Sequence, residues 1–264
     1  MTASRTAIGT FLHAGLARLN NVASLVLAPL FGLPSGIYRL HHCIMHHVAS
    51  NRSSQDASST EGFRRDSLSH FLIYWLRFLV GTWVELPMYA FQAKRPLLGL
   101  QCVACQLSYL GAIFSLWRWA PAATAWTLVA PHVISSLALM FGNWSQHIFV
   151  NPACPGSSYG MAYTCTNCPD NMLSYNDGYH VEHHLNSQTH WSDLPKAFAS
   201  TLDKHAKQGA LVFRSIGFFD VGLAVFTRRY AFLVRHLVPY TKELAAMTDA
   251  QKIAMLKARL APIR

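Results

Sequence analysis

The chain alternates long apolar stretches with short polar joints. Crossing a bilayer core takes about 20 apolar residues in a helix. Residues 97–117 carry no charge, and neither do residues 120–144, where His132 and Asn143 are the main polar points. Arg118 and Pro121 fall in the joint between them. These two stretches predict an antiparallel hairpin of membrane-spanning helices. Residues 67–91 are as long but contain Arg77 and Glu85, eight apart and so roughly on one helical face. Such a segment either spans with its charges paired or turned to protein, or lies in the interface and ends near Pro87.

The remaining pattern is more broken. Residues 22–33 are apolar but short and interrupted by Pro29, which predicts a buried or interfacial piece. Residues 209–232 mix apolar positions with Arg214, Asp220, Arg228 and Arg229, predicting an amphipathic helix on the membrane surface. From Thr248 onward, Thr248 and Gln251 form a capping box. Ile253, Leu256 and Leu260 then recur at helical spacing until Pro262. Two polar loops, 49–65 and 151–176, separate the apolar parts; the second carries Cys154, Cys165 and Cys168. The expected architecture is all-α: an integral-membrane helical domain over 1–240 with a helical cap, and a basic C-terminal helical tail over 241–264.

Composition sharpens this picture. The chain is 52% hydrophobic and 13% charged, where a soluble domain is about 25% charged, so an ordinary soluble enzyme is excluded. Its net charge is +10. The paired cations Arg64 and Arg65, Lys94 and Arg95, and Arg228 and Arg229 sit beside apolar segments, which reads as a membrane flank. No basic run interleaves with aromatics, so no nucleic-acid partner is expected. No acidic residue precedes Asp56. That opening fits an organelle transit peptide or simply a basic end; the expected location is a eukaryotic organelle membrane, whether mitochondrial, plastid or ER. Cys165-x2-Cys168 allows a zinc or redox pair, or a loop with free thiols.

Histidine is the anomaly, with 14 residues against 12 acidic ones. His41-His42-Cys43-Ile44-Met45-His46-His47 forms one cluster. On a 3.6-residue helix His42 and His46 share a face and His47 turns about 100° away. His180-Val181-Glu182-His183-His184 repeats the arrangement, and Tyr179 and Asn186 beside it are candidates for orienting hydrogen bonds. Asn143 and His147 are again four apart, at the end of the last apolar stretch. Nearly all-imidazole ligation suits Zn, Cu, Fe or Ni, and this many rings exceeds one ion's coordination. A zincin H-E-x-x-H is absent. The competing reading is a solvated, phosphate-facing basic surface. His132 reads as a satisfied core residue, and His70, His205 and His236 as isolated interfacial ones.

On these motifs the sequence resembles the membrane fatty acid desaturase superfamily, which includes the membrane alkane hydroxylases. His42-x3-His46-His47 is similar to its second histidine box, and His180-x2-His183-His184 to its third. Asn143-x3-His147 is similar to an extra Asn and His before the third. The resemblance covers roughly residues 10–200. It implies two non-haem iron ions held by His13, His42, His46, His47, His147, His180, His183 and His184, with Asn143, His41 and His190 as orienting or substitute ligands. It also implies O₂-dependent desaturation or hydroxylation of a lipid acyl chain. Electrons would come from a separate donor of cytochrome b5 or ferredoxin type, since the chain has no Gly-rich nucleotide motif. One departure matters. The first box should be H-x(3–4)-H, yet His13 is followed at that spacing by Ala17 and Arg18. The alternative expectation is therefore an inactive desaturase-like subunit packed among other membrane subunits.

Overall fold

A computed structural model describes residues 26–34, 37, 39–47, 51 and 56–263, with isolated positions at 16, 19 and 22. His13 lies outside the described residues. The chain is mostly helical. Among the described residues, three helices are long and apolar enough to cross a membrane: α1 (Leu68–Gln92), α2 (Pro96–Trp117) and α3 (Pro121–Gln146). The hairpin of α2 and α3 is as expected from their uncharged runs. α1 continues through Pro87 as one 25-residue helix rather than ending there. Its Arg77 Nε and Nη2 lie 3.3 Å from the two Glu85 carboxylate oxygens. Between them, Gly81 leaves room: a Cβ there would fall 3.0 Å from Glu85 Oε1.

The described residues form two compact units. The first contains Trp75–Met140 and the described residues up to 47 and at 56–58. It includes a helical segment, Arg39–His46, wound as a π-helix. Leu40 and Met45 of that segment pack with Ala57, Leu86, Ala90 and Cys102 in one apolar cluster. The turn at Phe31 and Gly32 docks on α3, where Ser135 Oγ donates to Phe31 O at 2.6 Å and His132 Nδ1 lies 2.8 Å from Gly32 O. Gly32 has φ +82°, and a Cβ there would meet the Pro131 backbone at 2.2 Å. His132 is thus a part-buried residue with its ring hydrogen-bonded.

The second unit contains Ser59–Tyr74 and Phe141–Arg264. The chain after α3 runs through β1 (Tyr163–Thr166), α4 (Asp170–Leu173), α5 (His180–Leu185), α6 (Leu194–Lys207) and β2 (Leu211–Arg214). It continues as α7 (Phe218–Phe226), α8 (Tyr230–His236), α9 (Lys242–Ala246) and α10 (Asp249–Ala258). β1 and β2 pair in parallel, Tyr163 opposite Leu211 and Thr166 opposite Arg214. Parallel strands require a long crossover, and here it is the α5–α6 stretch that carries the last histidine cluster. The single surface helix expected over 209–232 is therefore divided: its start is β2, and only α7 and α8 are helical. The capping box at Thr248 and Gln251 starts α10 as expected.

Arg65 is fully buried rather than flanking a membrane helix. Its guanidinium donates to the carbonyls of Ile148, Thr60, Glu61, Phe63, Arg259 and Ala261 at 2.5–3.3 Å. Burial pulls its pKa down to about 10. Beside it, Trp144 Nε1 donates to Arg65 O, and the Trp144 ring packs on Tyr74 and Phe71. The residues after α10 thus close the same core as residues 60–65 and 148.

Candidate metal centre

In the first unit the π winding changes which histidines meet. A π turn aligns residues five apart, so His42 Nε2 lies 3.2 Å from His47 Nε2. The His42 and His46 rings are stacked with centroids 5.7 Å apart. His42 and His46 thus lie side by side as expected, but the expectation that His47 turns away from them is corrected. His46 is buried, and its Nδ1 lies 2.8 Å from Asp56 Oδ2. Ser58 holds the other carboxylate oxygen through both its N–H, at 2.8 Å, and its hydroxyl, at 2.7 Å. Burial alone would raise the Asp56 carboxyl, but the charge and hydrogen bond of His46, helped by His41 and Ser58, hold it well below the usual carboxylate range. The carboxylate therefore takes the Nδ1 proton of His46 as a hydrogen bond, which makes Nε2 the lone-pair nitrogen. His41 faces the edge of Phe78 at 4.8 Å. Burial, with His46 adding to it against the pull of Asp56, pushes its pKa down to about 4.

In the second unit His147, His180 and His184 converge. Their Nε2 atoms are 3.1 Å apart from His147 to His180 and 3.1 Å from His180 to His184. His147 Nδ1 lies 3.0 Å from Met161 O. A carbonyl only accepts, so that nitrogen carries the proton and Nε2 holds a lone pair. Asp177 Oδ1 sits 3.4 Å from His180 Nδ1, and Gln146 Nε2 donates to Asp177 Oδ2 at 2.7 Å. Burial would raise the Asp177 carboxyl, but His180, His183 and Gln146 lower it overall. Two imidazole lone pairs facing each other at 3.1 Å repel unless a cation or proton lies between them. The ligand atoms of His147, His180 and His184 lie within 4.8 Å of one another, as a single cation requires. The donor set fits a borderline divalent metal ion such as iron or zinc.

The remaining sequence candidates are placed differently. His183 shares α5 and is half-buried, its ring centroid 5.7 Å from that of His180. Asn143 donates to Tyr74 OH at 2.7 Å. His190 is exposed, and its Nδ1 accepts from Ser192 N at the start of a short helical turn. Tyr179 packs its ring on Phe198, and Asn186 Oδ1 accepts from Gln188 N. Cys165 and Cys168 are buried free thiols. His205 is fully buried, not interfacial, between the rings of Tyr159 and Phe198.

His205 belongs to a group that motif reasoning missed. Its Nε2 lies 3.5 Å from Glu182 Oε1, and Thr201 Oγ1 donates to the same oxygen at 2.7 Å. Glu182 lies between the histidines of α5, so this contact ties that helix to α6. Asp56, Ser58, Asp177 and Gln146 were missed as well. Asp56 had a signal: it is the first acidic residue of the chain, ten positions after His46.

These features define a helical membrane protein that presents clustered imidazoles braced by carboxylates, buried at Asp56 and half-exposed at Asp177. The fatty acid desaturase family model matches residues 10–215. The chain belongs to that family. No curated protein matches it, and neither does any solved structure.

Proposed function

We propose that this protein is an O₂-dependent di-iron oxidoreductase that desaturates or hydroxylates the acyl chain of a lipid. The observation that carries the reading is the convergence of His147, His180 and His184 through their Nε2 atoms, with the Nδ1 of His147 already held by the Met161 carbonyl. The histidine boxes of the sequence name His13, His42, His46, His47 and His183 as the further candidate ligands. Together they suffice for two ions. Bound iron would supply the activation of O₂ and the oxidising power to break an unactivated C–H bond.

The chain's own residues do the rest. Asp56, Asp177 and the Met161 carbonyl fix ring orientation and tautomer. Glu182 and Thr201 hold the third-box helix against α6. A small, mostly apolar cavity of about 20 Å³, lined by Pro34, Ile37, Phe78, Leu79 and Leu139, reaches His41. Desaturation would remove two hydrogens from adjacent carbons and reduce O₂ to two waters, with two electrons and two protons from outside. A cytochrome b5 or ferredoxin type donor supplies those electrons, and the protein's positive charge suits an acidic one.

The test is iron per chain in protein extracted gently from its native membrane, with its native mass. About two irons per chain, together with acyl oxidation when a reduced donor is added, supports the reading. Metal-free protein running only in a larger assembly overturns it. That outcome favours the inactive-subunit alternative, to which the incomplete first box at Ala17 and Arg18 points.

A further inference from the structure

The second unit exposes a group of large apolar side chains with no counterpart in the metal chemistry. Met172 and Leu173 on α4 are 89% and 85% exposed. Tyr175 and Trp191 beside them are also exposed and pair edge to face at 5.7 Å. The loop is firmly held. Asn176 Nδ2 donates to Trp191 O at 3.0 Å, and Asn176 N donates to Asn171 O at 2.8 Å. Tyr175 and Asn176 both occupy the left-handed region, with φ of 53° and 59°, a conformation uncommon for a residue other than glycine or asparagine. A fixed loop thus presents its apolar residues outward.

Its place in the fold indicates what it meets. α3 has 26 residues, or about 39 Å at 1.5 Å per residue, against a hydrocarbon core of about 30 Å. Its last turn therefore reaches the headgroup region. Gln146, the final residue of α3, donates to Asp177 at 2.7 Å, two positions after Tyr175. α7 is fixed at the same level. Phe219 packs on Phe141 of α3 at 5.7 Å, and a methyl at Gly222 would strike Ser145 Oγ at 2.1 Å. α4 joins α7 in turn: a methyl at Gly217 would fall 2.2 Å from Asp170 Oδ2. α7 exposes Phe219 and Leu223.

We infer that α4 with the loop after it, together with α7, forms a collar around the end of α3 that inserts into the lipid headgroup and upper acyl region. Aliphatic tips flanked by Tyr and Trp are the side chains that such an interface retains. The occupant is lipid, because the collar is continuous with a membrane-spanning helix at its exit. α5 begins five residues after Tyr175, so the collar sets the depth of His180 and His184. This inference does not depend on iron or on catalytic activity.

The test is a nitroxide spin label at Leu173→Cys in the full chain, reconstituted in phosphatidylcholine nanodiscs. The parent chain, carried through the same labelling, is the blank. A second label at Asp249→Cys, whose side chain is 80% exposed, gives the aqueous reference. The expected result is relaxation by dissolved oxygen several-fold stronger than by a water-soluble nickel chelate, with the order reversed at position 249. Nickel accessibility at 173 equal to that at 249 overturns the inference. So does a label shielded from both reagents, which would mean that protein covers the patch.

Discussion

Asp56 accepts the Nδ1 proton of buried His46 across 2.8 Å while Ser58 clamps the other carboxylate oxygen from two directions. The contact fixes one ring in the middle of a histidine cluster. Replacing Asp56 with Ala frees the ring to rotate and lets either nitrogen carry the proton. Loss of such a carboxylate partner lowers metal affinity by about 10–100-fold. Iron titration of Asp56→Ala beside the parent protein checks this. Unchanged affinity would remove Asp56 from the site.

Arg77 and Glu85 neutralise each other halfway along a membrane-spanning helix. A lone charge there costs about 2.5–3.5 kcal/mol by insertion scales. Arg77→Met or Glu85→Gln alone should therefore reduce membrane insertion, and the double variant should recover most of it. Glycosylation-tag reporters of α1 insertion would measure all three. Additive losses in the double variant would show that the pair is not coupled.

His205 supplies a pH dependence. Burial lowers its folded-state pKa, so the unfolded chain takes up its proton first, below about pH 6.5. Its contribution to stability is fully present above pH 6.5 and is lost as pH falls toward the folded value. The slope is at most about 1.4 kcal/mol per pH unit. His205→Asn should flatten the decline of unfolding free energy as pH falls below about 6.5, followed by denaturant titration. Parallel slopes in the two proteins would contradict this.

Gly178 stands just ahead of the third histidine cluster. Its N–H donates to Asn171 Oδ1 at 3.1 Å and its carbonyl accepts from Cys165 N at 2.7 Å. A methyl there would fall 2.2 Å from Asn171 Oδ1. Gly178→Ala should destabilise the protein by about 1–3 kcal/mol, the usual cost of overpacking, and displace α5. Thermal unfolding measures the first effect and metal stoichiometry the second.

The membrane helices were legible because a bilayer imposes a length and an apolar content that a linear sequence displays directly. The histidine clusters were legible because their residue type is rare in such surroundings. The π winding of Arg39–His46 was not: counting by 3.6 presupposes the α period, and only the backbone shows that His42 meets His47. The strands β1 and β2 are four residues each, with 44 residues between them, and are too short for alternation to show. The burial of Arg65 and His205 depends on partners that fold back from distant positions, which residue type alone does not reveal.

The carbonyl cage around Arg65 also sets an order of events during synthesis. Arg65 precedes Arg259 by 194 positions. At 5–20 residues per second the ribosome needs about 10–40 s to cover that distance. Throughout that interval the guanidinium must stay hydrated or borrow other acceptors, because two of its six carbonyls have not yet been made. The membrane helices are threaded into the bilayer in the meantime. The histidine-bearing second unit can lock only after the last helix has emerged, so it matures as a late step on a scaffold already in the membrane.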